Sequence, residues 1–349
     1  MKKTGKTIAL ILALMILTLY TSTGCGKTAT APEDEPEKRF IVDQVGRKVE
    51  LPEKIERVAT SHHFDTKLIY ALGQGDKMTH KRISAKEGEA MERLDATYAA
   101  LPDLEAPEYQ KASAEALMVV KPQVVFSYAA FDTAEIEQYT NAGLTVVGVK
   151  GETLDDTYEA IQLMGDILDC KKQADDFETY VKEKVSTIEG RAKDVKDEGK
   201  PKVLFTGPKS IYTVATGDMF QSEMIEMAGG INVSKELKGR WCEVSPEQIV
   251  AWNPDYIFLG SSFGTGTVDD LLKDPALSTV NAIKNKNVFI FPSNIGWWDF
   301  PLPQSILGIM WIGKTVLPEK YEDIDMTEIA DEYYNRAFGY SFTEMGGKL

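Results

Sequence analysis

The chain has 349 residues, 43% of them hydrophobic and 27% charged, with a formal net charge of -15. That length makes two domains the default. That acidity speaks against nucleic acid, because no basic stripe is available to release counterions from phosphates, and against broad adsorption to anionic lipid.

The first residues read as an export signal. Lys2, Lys3 and Lys6 precede an apolar run from Ile8 to Leu19, which is too short for a spanning helix. Thr21-Ser-Thr-Gly24 and Cys25 follow, and a Cys after Gly at this place resembles a bacterial lipoprotein box. Residues 1–24 are then the lipoprotein signal peptide and Cys25 the lipidated N-terminus. Ser22 departs from the Leu that such a box prefers, and a plain cleaved signal is the alternative. Only Cys170 and Cys242 remain, far apart, so no disulfide scaffold is expected. Residues 25–38 are polar, carry prolines and read as a flexible tether. Gly26-Lys27-Thr28 imitates the end of a phosphate-binding loop, but it lacks the preceding strand and the first glycine.

From residue 39 the pattern is α/β. Phe40–Asp43 and Arg47–Leu51 flank Gly46 as a hairpin, Arg57–Ser61 reads as a strand, and Phe64–Leu72 as a helix ended by Gly73. Thr133–Ala142 reads as a helix closed by Gly143, with a strand at Leu144–Val149. From Asp155 to about Glu198 apolar residues recur at helical spacing, which predicts a connecting helix of one or two segments over 155–200. The alternation then restarts: strands at Lys202–Thr206 and Ile211–Ala215, a helix at Asp218–Ala228, a strand at Asn287–Phe291 and helices at Pro303–Val316 and Met326–Phe338. Strands alternating with helices imply parallel sheets covered on both faces. The expected fold is two Rossmann-like α/β lobes, 39–154 and 201–349, joined by one long interdomain helix.

One fourteen-residue pattern occurs twice, at Ser113–Phe126 and Ser245–Phe258. Ser, Glu, Pro and Phe recur without a gap: Ser113, Glu115, Pro122 and Phe126 against Ser245, Glu247, Pro254 and Phe258. Each copy reads as a serine-capped helix with an anion in its first turn, stopped by proline before a buried strand. One such unit per half says that the two lobes are built alike.

With Asp43–Arg47, Leu51-Pro52, Arg57-Val58, the doubled unit, Asp274–Leu277, Ala282–Asn285, Val288 and Pro292 in this order, the chain resembles the substrate-binding lipoproteins of ABC importers for iron-siderophores, haem and cobalamin. The resemblance spans nearly the whole mature sequence. It implies two lobes around a cleft, little hinge motion, and a monomer that delivers its ligand to a permease dimer with its ATPase. It also implies that Glu115 and Glu247 dock onto permease arginines, where the plain alternative is that each complements a helix dipole. The anchor would hold the protein at the outer face of the cytoplasmic membrane or on the periplasmic side.

Ligands of open α/β sheets sit beyond the carboxyl ends of the strands. The residues there are His62, His63, Tyr128 and Phe131 in the first lobe and Tyr212, Arg240, Trp241, Ser261–Phe263, Trp297 and Trp298 in the second. All five Trp lie in the second lobe, three of them in loops, which suits a large planar or amphipathic ligand. Imidazole at His62 or His63 is a candidate metal ligand, against one structural and one solvated ring. No compact His, Cys and carboxylate cluster accompanies the pair, so a metal already held by a chelator fits better than a bare ion. Arg240 could meet a chelate oxygen. The expectation is a binding protein without intrinsic cofactor, carrying a metal chelate, foremost a ferric siderophore. A haem or cobalamin carrier is the alternative. An exported metal-dependent hydrolase is a third reading, disfavoured because no nucleophile elbow or His-Glu-x-x-His is present.

Overall fold

The computed structural model describes residues 39–104, 112–129, 133–207, 210–260, 267–292 and 294–349. The signal 1–24, the tether 25–38 with Cys25, and the candidates Phe131 and Ser261–Phe263 lie outside the described residues. The described chain opens on a hairpin of β1 (Arg39–Val42) and β2 (Lys48–Leu51), turned at Gly46 with φ +81°. Buried Asp43 accepts from the Arg47 amide at 2.8 Å and its guanidinium at 2.8 Å, and from the Gly148 amide at 3.0 Å. The hairpin is thereby tied to the first sheet.

The first half around that sheet holds β3 (Val58–Thr60), α1 (His63–Ala71), α2 (Ala85–Leu94), α3 (Ala96–Ala99), α4 (Ala114–Val119), β4 (Val124–Tyr128), α5 (Ala134–Asn141) and β5 (Val146–Val149). Its described strands run in the order β3-β4-β5, all parallel. Two helices follow, α6 (Leu154–Ile167) and α7 (Lys171–Ala192). The second half holds β6 (Lys202–Gly207), β7 (Ser210–Val214), α8 (Phe220–Met227), β8 (Ile231–Asn232), β9 (Cys242–Glu243), α9 (Pro246–Trp252), β10 (Tyr256–Leu259), α10 (Val268–Lys273), α11 (Asn281–Lys284), β11 (Val288–Ile290), α12 (Ser305–Val316) and α13 (Met326–Phe338). Its strands run in the order β11-β10-β6-β7-β9, with β8 also on β6. β6, β8, β10 and β11 are parallel, as expected, whereas β7 is antiparallel to both its neighbours, β6 and β9. The reason lies in the chain: only residues 208 and 209 separate β6 from β7, too few for a crossover, so β7 must return as a hairpin.

The doubled unit folds the same way twice. Ser113 Oγ accepts from the Ala116 amide at 3.1 Å, and Ser245 Oγ from the Gln248 amide at 3.3 Å. Lys121 and Asn253, each just before the proline, share a left-handed φ of +47°. The next residues also correspond: Gln123 N–H donates to Arg57 O and Asp255 N–H to Lys202 O, both at 2.8 Å. Each copy therefore sets the register of its strand against the neighbour, Val124 opposite Val58 and Tyr256 opposite Val203.

The helical stretch beyond residue 154 is two helices that fold back on each other, broken at Asp169, which has φ +56°. Only α7, 22 residues and about 33 Å long, remains as the connector. The two pack closely because Gly165 has no side chain; a Cβ there would lie 2.4 Å from the Ala174 Cβ.

Strand residues alternate between two environments, as period-two geometry demands. Val58, Val124, Phe126, Val203, Phe205 and Phe258 all belong to one contiguous core, which also takes in faces of α6, α7, α12 and α13. The outer faces have clusters of their own, around Ala59 and Val125 in the first half and Leu204 and Ile257 in the second. Between residues 73 and 104, for which no element was expected, lie α2 and α3. Among the described residues no helix is long and apolar enough to cross a membrane.

At Gly165 two effects oppose. Alanine gains about 1 kcal/mol in helix propensity, whereas overpacking costs about 1–3 kcal/mol. Packing should win: Gly165→Ala lowers the unfolding free energy in urea, and Ala174→Gly in the same chain restores it. Additive effects of the two changes would refute this contact.

Candidate functional site

The carboxyl ends of β3, β4 and β5 open on the same side as a wall from the second half, and between them lies a cavity of about 160 Å³. His62, Tyr128 and Glu152 line it from the first half; Asp218, Phe220, Gln221, Arg240, Trp241 and Phe300 are among its residues from the second.

His62 stands at the N-cap of α1, where its Nδ1 accepts from the Phe64 amide at 3.2 Å. Nδ1 therefore holds the lone pair, and in the neutral ring the proton sits on Nε2. A metal at Nε2 would need the opposite tautomer, with two N–H groups facing each other across that cap. His62 is thus corrected from candidate metal ligand to hydrogen-bond donor. Its ring stacks on Tyr128 at 4.5 Å and 19°. The Tyr128 hydroxyl donates to Glu152 Oε1 at 2.5 Å. Burial above all, then the charge of Glu152, pushes that phenol well above its ordinary pKa and keeps it a donor. Burial also raises the Glu152 carboxyl, while the Tyr128 hydroxyl and the Arg240 guanidinium pull it down.

The opposite wall is shaped by a clamped turn. Asp218 accepts from the Gly239 amide at 2.8 Å and from Lys238 at 3.2 Å, and Thr216 Oγ1 donates to Gly239 O at 2.6 Å. The Gly239 amide foremost, then Lys238, lowers the Asp218 pKa. Gly239 has φ +88°, and beyond it come Arg240, which is exposed, and Trp241, which is half-buried. The indole lies directly on Gly207, where a Cβ would meet its ring at 2.2 Å. Gln221, buried, donates to the Asp299 carbonyl at 2.7 Å and joins α8 to the segment that carries Phe300.

Of the eight expected ligand residues that are described, His62, Tyr128, Arg240 and Trp241 come together here. His63 is 3% exposed, and its ring meets Trp297 edge-on at 5.7 Å. Trp297 in turn packs on Phe300 at 5.2 Å. Neither lines the cavity: His63 is buried behind its wall, which corrects its assignment as a ligand contact and candidate metal ligand, and Trp297 is half-buried beside it. Trp298 is fully buried, donates to Tyr334 Oη at 3.3 Å and packs on Phe342; it is core. Tyr212 points to the outer face and donates to Asp274. Glu152, Asp218, Gln221 and Phe300 were not anticipated. Glu152 was within reach, since it follows a strand end, but it sits in an acidic run that reads as a helix start. Glu115 and Glu247 are exposed in the first turns of α4 and α9. Hydrogen bonds from its own amide and from Ser245 hold the Glu247 pKa low. Among the described residues no group of three or more His, Cys, Asp or Glu is placed to hold a metal ion.

Residues 58–295 match the periplasmic binding protein family. The chain belongs to that family. The match begins at β3 and ends just before Trp297, so this periplasmic binding protein carries both copies of the doubled unit within it. The molybdate-binding protein MolA of Haemophilus influenzae is 26% identical over 87% of this chain and 92% of its own length. YvrC of Bacillus subtilis, described as an uncharacterized ABC transporter substrate-binding lipoprotein, is 24% identical over 92% of this chain and 99% of its own. Among solved structures, a periplasmic solute-binding protein from Veillonella parvula superposes with a TM-score of 0.73 and 26% identity, covering 88% of this chain and 95% of the other. These relatives are transport proteins, and two-lobed periplasmic binding proteins share the fold.

The third histidine, His80, lies beneath the same strand ends. It is fully buried, with Nε2 3.2 Å from the Thr60 carbonyl, and burial pushes its pKa down to about 4. A depressed histidine stays neutral when folded, while the unfolded chain takes up a proton below about pH 6.5. Its contribution is therefore complete above that pH and lost as pH falls toward 4, on the order of 3 kcal/mol in all. Guanidinium unfolding at pH 7 and pH 4.5 should show a larger acid loss for the wild type than for His80→Gln. Equal losses would refute it.

Proposed function

We propose that this periplasmic binding protein is the extracytoplasmic solute receptor of an ABC importer, and that its cleft takes a compact, anionic, metal-centred solute. The observation that carries this is the wall of Arg240, the His62 Nε2–H and Trp241 around a cavity of about 160 Å³. The cation and the N–H attract oxygen ligands, and the indole offers an apolar face. The volume is about half that of the smallest pockets that enclose a drug-sized molecule, roughly 300 Å³. Haem, cobalamin and full-sized ferric siderophores are all larger, so the size supports a compact chelate or oxyanion over any of them. The name of MolA, a molybdate-binding relative, supports an anion with a metal at its centre. That the relatives are substrate-binding proteins supports a receptor over an enzyme.

In this reading lobes 39–154 and 201–349 hold the solute across the α7 connector, and Cys25 anchors the protein by lipid, as the description of YvrC supports. Glu115 and Glu247 then address the two halves of a permease dimer. Their matched setting in α4 and α9, with the same serine cap and the same left-handed residue at the helix end, supports a paired role.

Two measurements test this. Tryptophan fluorescence titrated with ferric catechol and hydroxamate chelates, molybdate, haemin and cobalamin should give its tightest response to a chelate or oxyanion. Trp241→Ala and Arg240→Ala should each weaken it tenfold or more; tightest binding of haemin or cobalamin overturns the ligand class. Glu115→Ala with Glu247→Ala should leave that affinity unchanged and abolish uptake through the permease, whereas normal uptake overturns docking.

A further inference from the structure

An anion site with a carboxylate in its wall needs explaining. Arg240 and the His62 Nε2–H invite negative charge, yet Glu152 lines the same cavity. Asp218, the other acid there, is occupied by the Gly239 amide and Lys238. Glu152 is held differently. Its Oε1 takes the Tyr128 hydroxyl at 2.5 Å, and Tyr128 is fixed in turn by the stacked His62 ring and by its amide, which donates to Ser61 Oγ at 3.2 Å. Among the described residues Oε2 receives no hydrogen bond. An ionised carboxylate only accepts, and in a half-buried wall it gains from a solute that brings a donor and is penalised by one that brings only lone pairs. Charge repulsion against the wrong solute is a common source of specificity.

We infer that Glu152 is a specificity-determining residue: it selects anionic solutes that carry a hydrogen-bond donor beside the charge, such as an amide N–H, a hydroxyl or a metal-bound water, and rejects fully deprotonated oxyanions. This rests on the cleft being the solute site and narrows its occupant to a donor-bearing chelate. Arg240 supplies attraction to any anion; Glu152, oriented by Tyr128, decides which anion stays.

The test uses molybdate, a dianion without a proton at pH 7.5, titrated calorimetrically into the mature protein. Glu152→Gln replaces repulsion with a donor and should tighten molybdate binding at least tenfold over wild type. Glu152→Ala removes the charge without adding a donor and should act in the same direction by a smaller factor. Affinity unchanged or weakened in both variants overturns the inference. The double variant Glu152→Gln with Arg240→Ala separates it from the underlying reading. If the gain disappears, molybdate sits against Arg240 in this cleft; if it persists, Arg240 does not hold the anion and the cleft chemistry proposed above falls. Loss of chelate binding in Arg240→Ala, with no gain for molybdate in Glu152→Gln, leaves the cleft intact and removes only the selectivity.

Discussion

The inner faces of the two sheets do not close over separate cores. Phe126 of β4 and Phe258 of β10 belong to one apolar body that runs through α6, α7, α12 and α13. The C-terminal helix secures it, because α13 turns back onto the first half: Phe338 packs on Tyr70 at 5.8 Å, and beyond the helix Tyr340 donates to Leu94 O at 2.9 Å and Arg93 to Glu344 O at 2.8 Å. Beneath it the Lys67–Glu87 ion pair, 2.6 Å long and closed to solvent, lies against Gly296, where a Cβ would come within 2.6 Å of Glu87 Oε1. Removing either partner of such a pair costs about 3–5 kcal/mol, because the other is left charged and dehydrated. Parting the halves would also wet aromatic side chains worth roughly 1.5–3 kcal/mol each. The geometry of the cleft follows from that shared body.

On this frame the strand ends supply the chemistry. β3 delivers His62, β4 delivers Tyr128 and the turn after β5 delivers Glu152, so one small parallel sheet places a donor, an aromatic face and an acceptor together. The second wall owes its shape to a hairpin strand and a glycine turn. Asp218 pins that turn, and Gly207 leaves room for the Trp241 ring.

Much of this was legible in the chain. The doubled unit foretold two similar halves because each part of it has a local cause: a serine cap, a helix stop before proline, an apolar strand. His62 and Tyr128 were found because a strand end is itself a local signal. Trp298 and Tyr212 were misplaced because an aromatic residue in a loop or strand does not declare which side it faces. That choice belongs to partners far away in sequence, Tyr334 and Phe342 for the one and Asp274 for the other. His63 erred for a related reason: it starts α1 rather than extending β3, which turns its ring into the interior. The antiparallel course of β7 depended on two residues of spacing, a quantity that alternation alone does not weigh.

The back-turned α13 bears on how a transporter would tell a full receptor from an empty one. Receptors that snap shut advertise their cargo by a change of outline, legible from a distance. A body stitched through its middle would keep one outline whether loaded or vacant, and occupancy would then be sensed at the mouth of the cleft, where Arg240 is exposed. The cargo itself would then be part of the surface that the membrane partner touches.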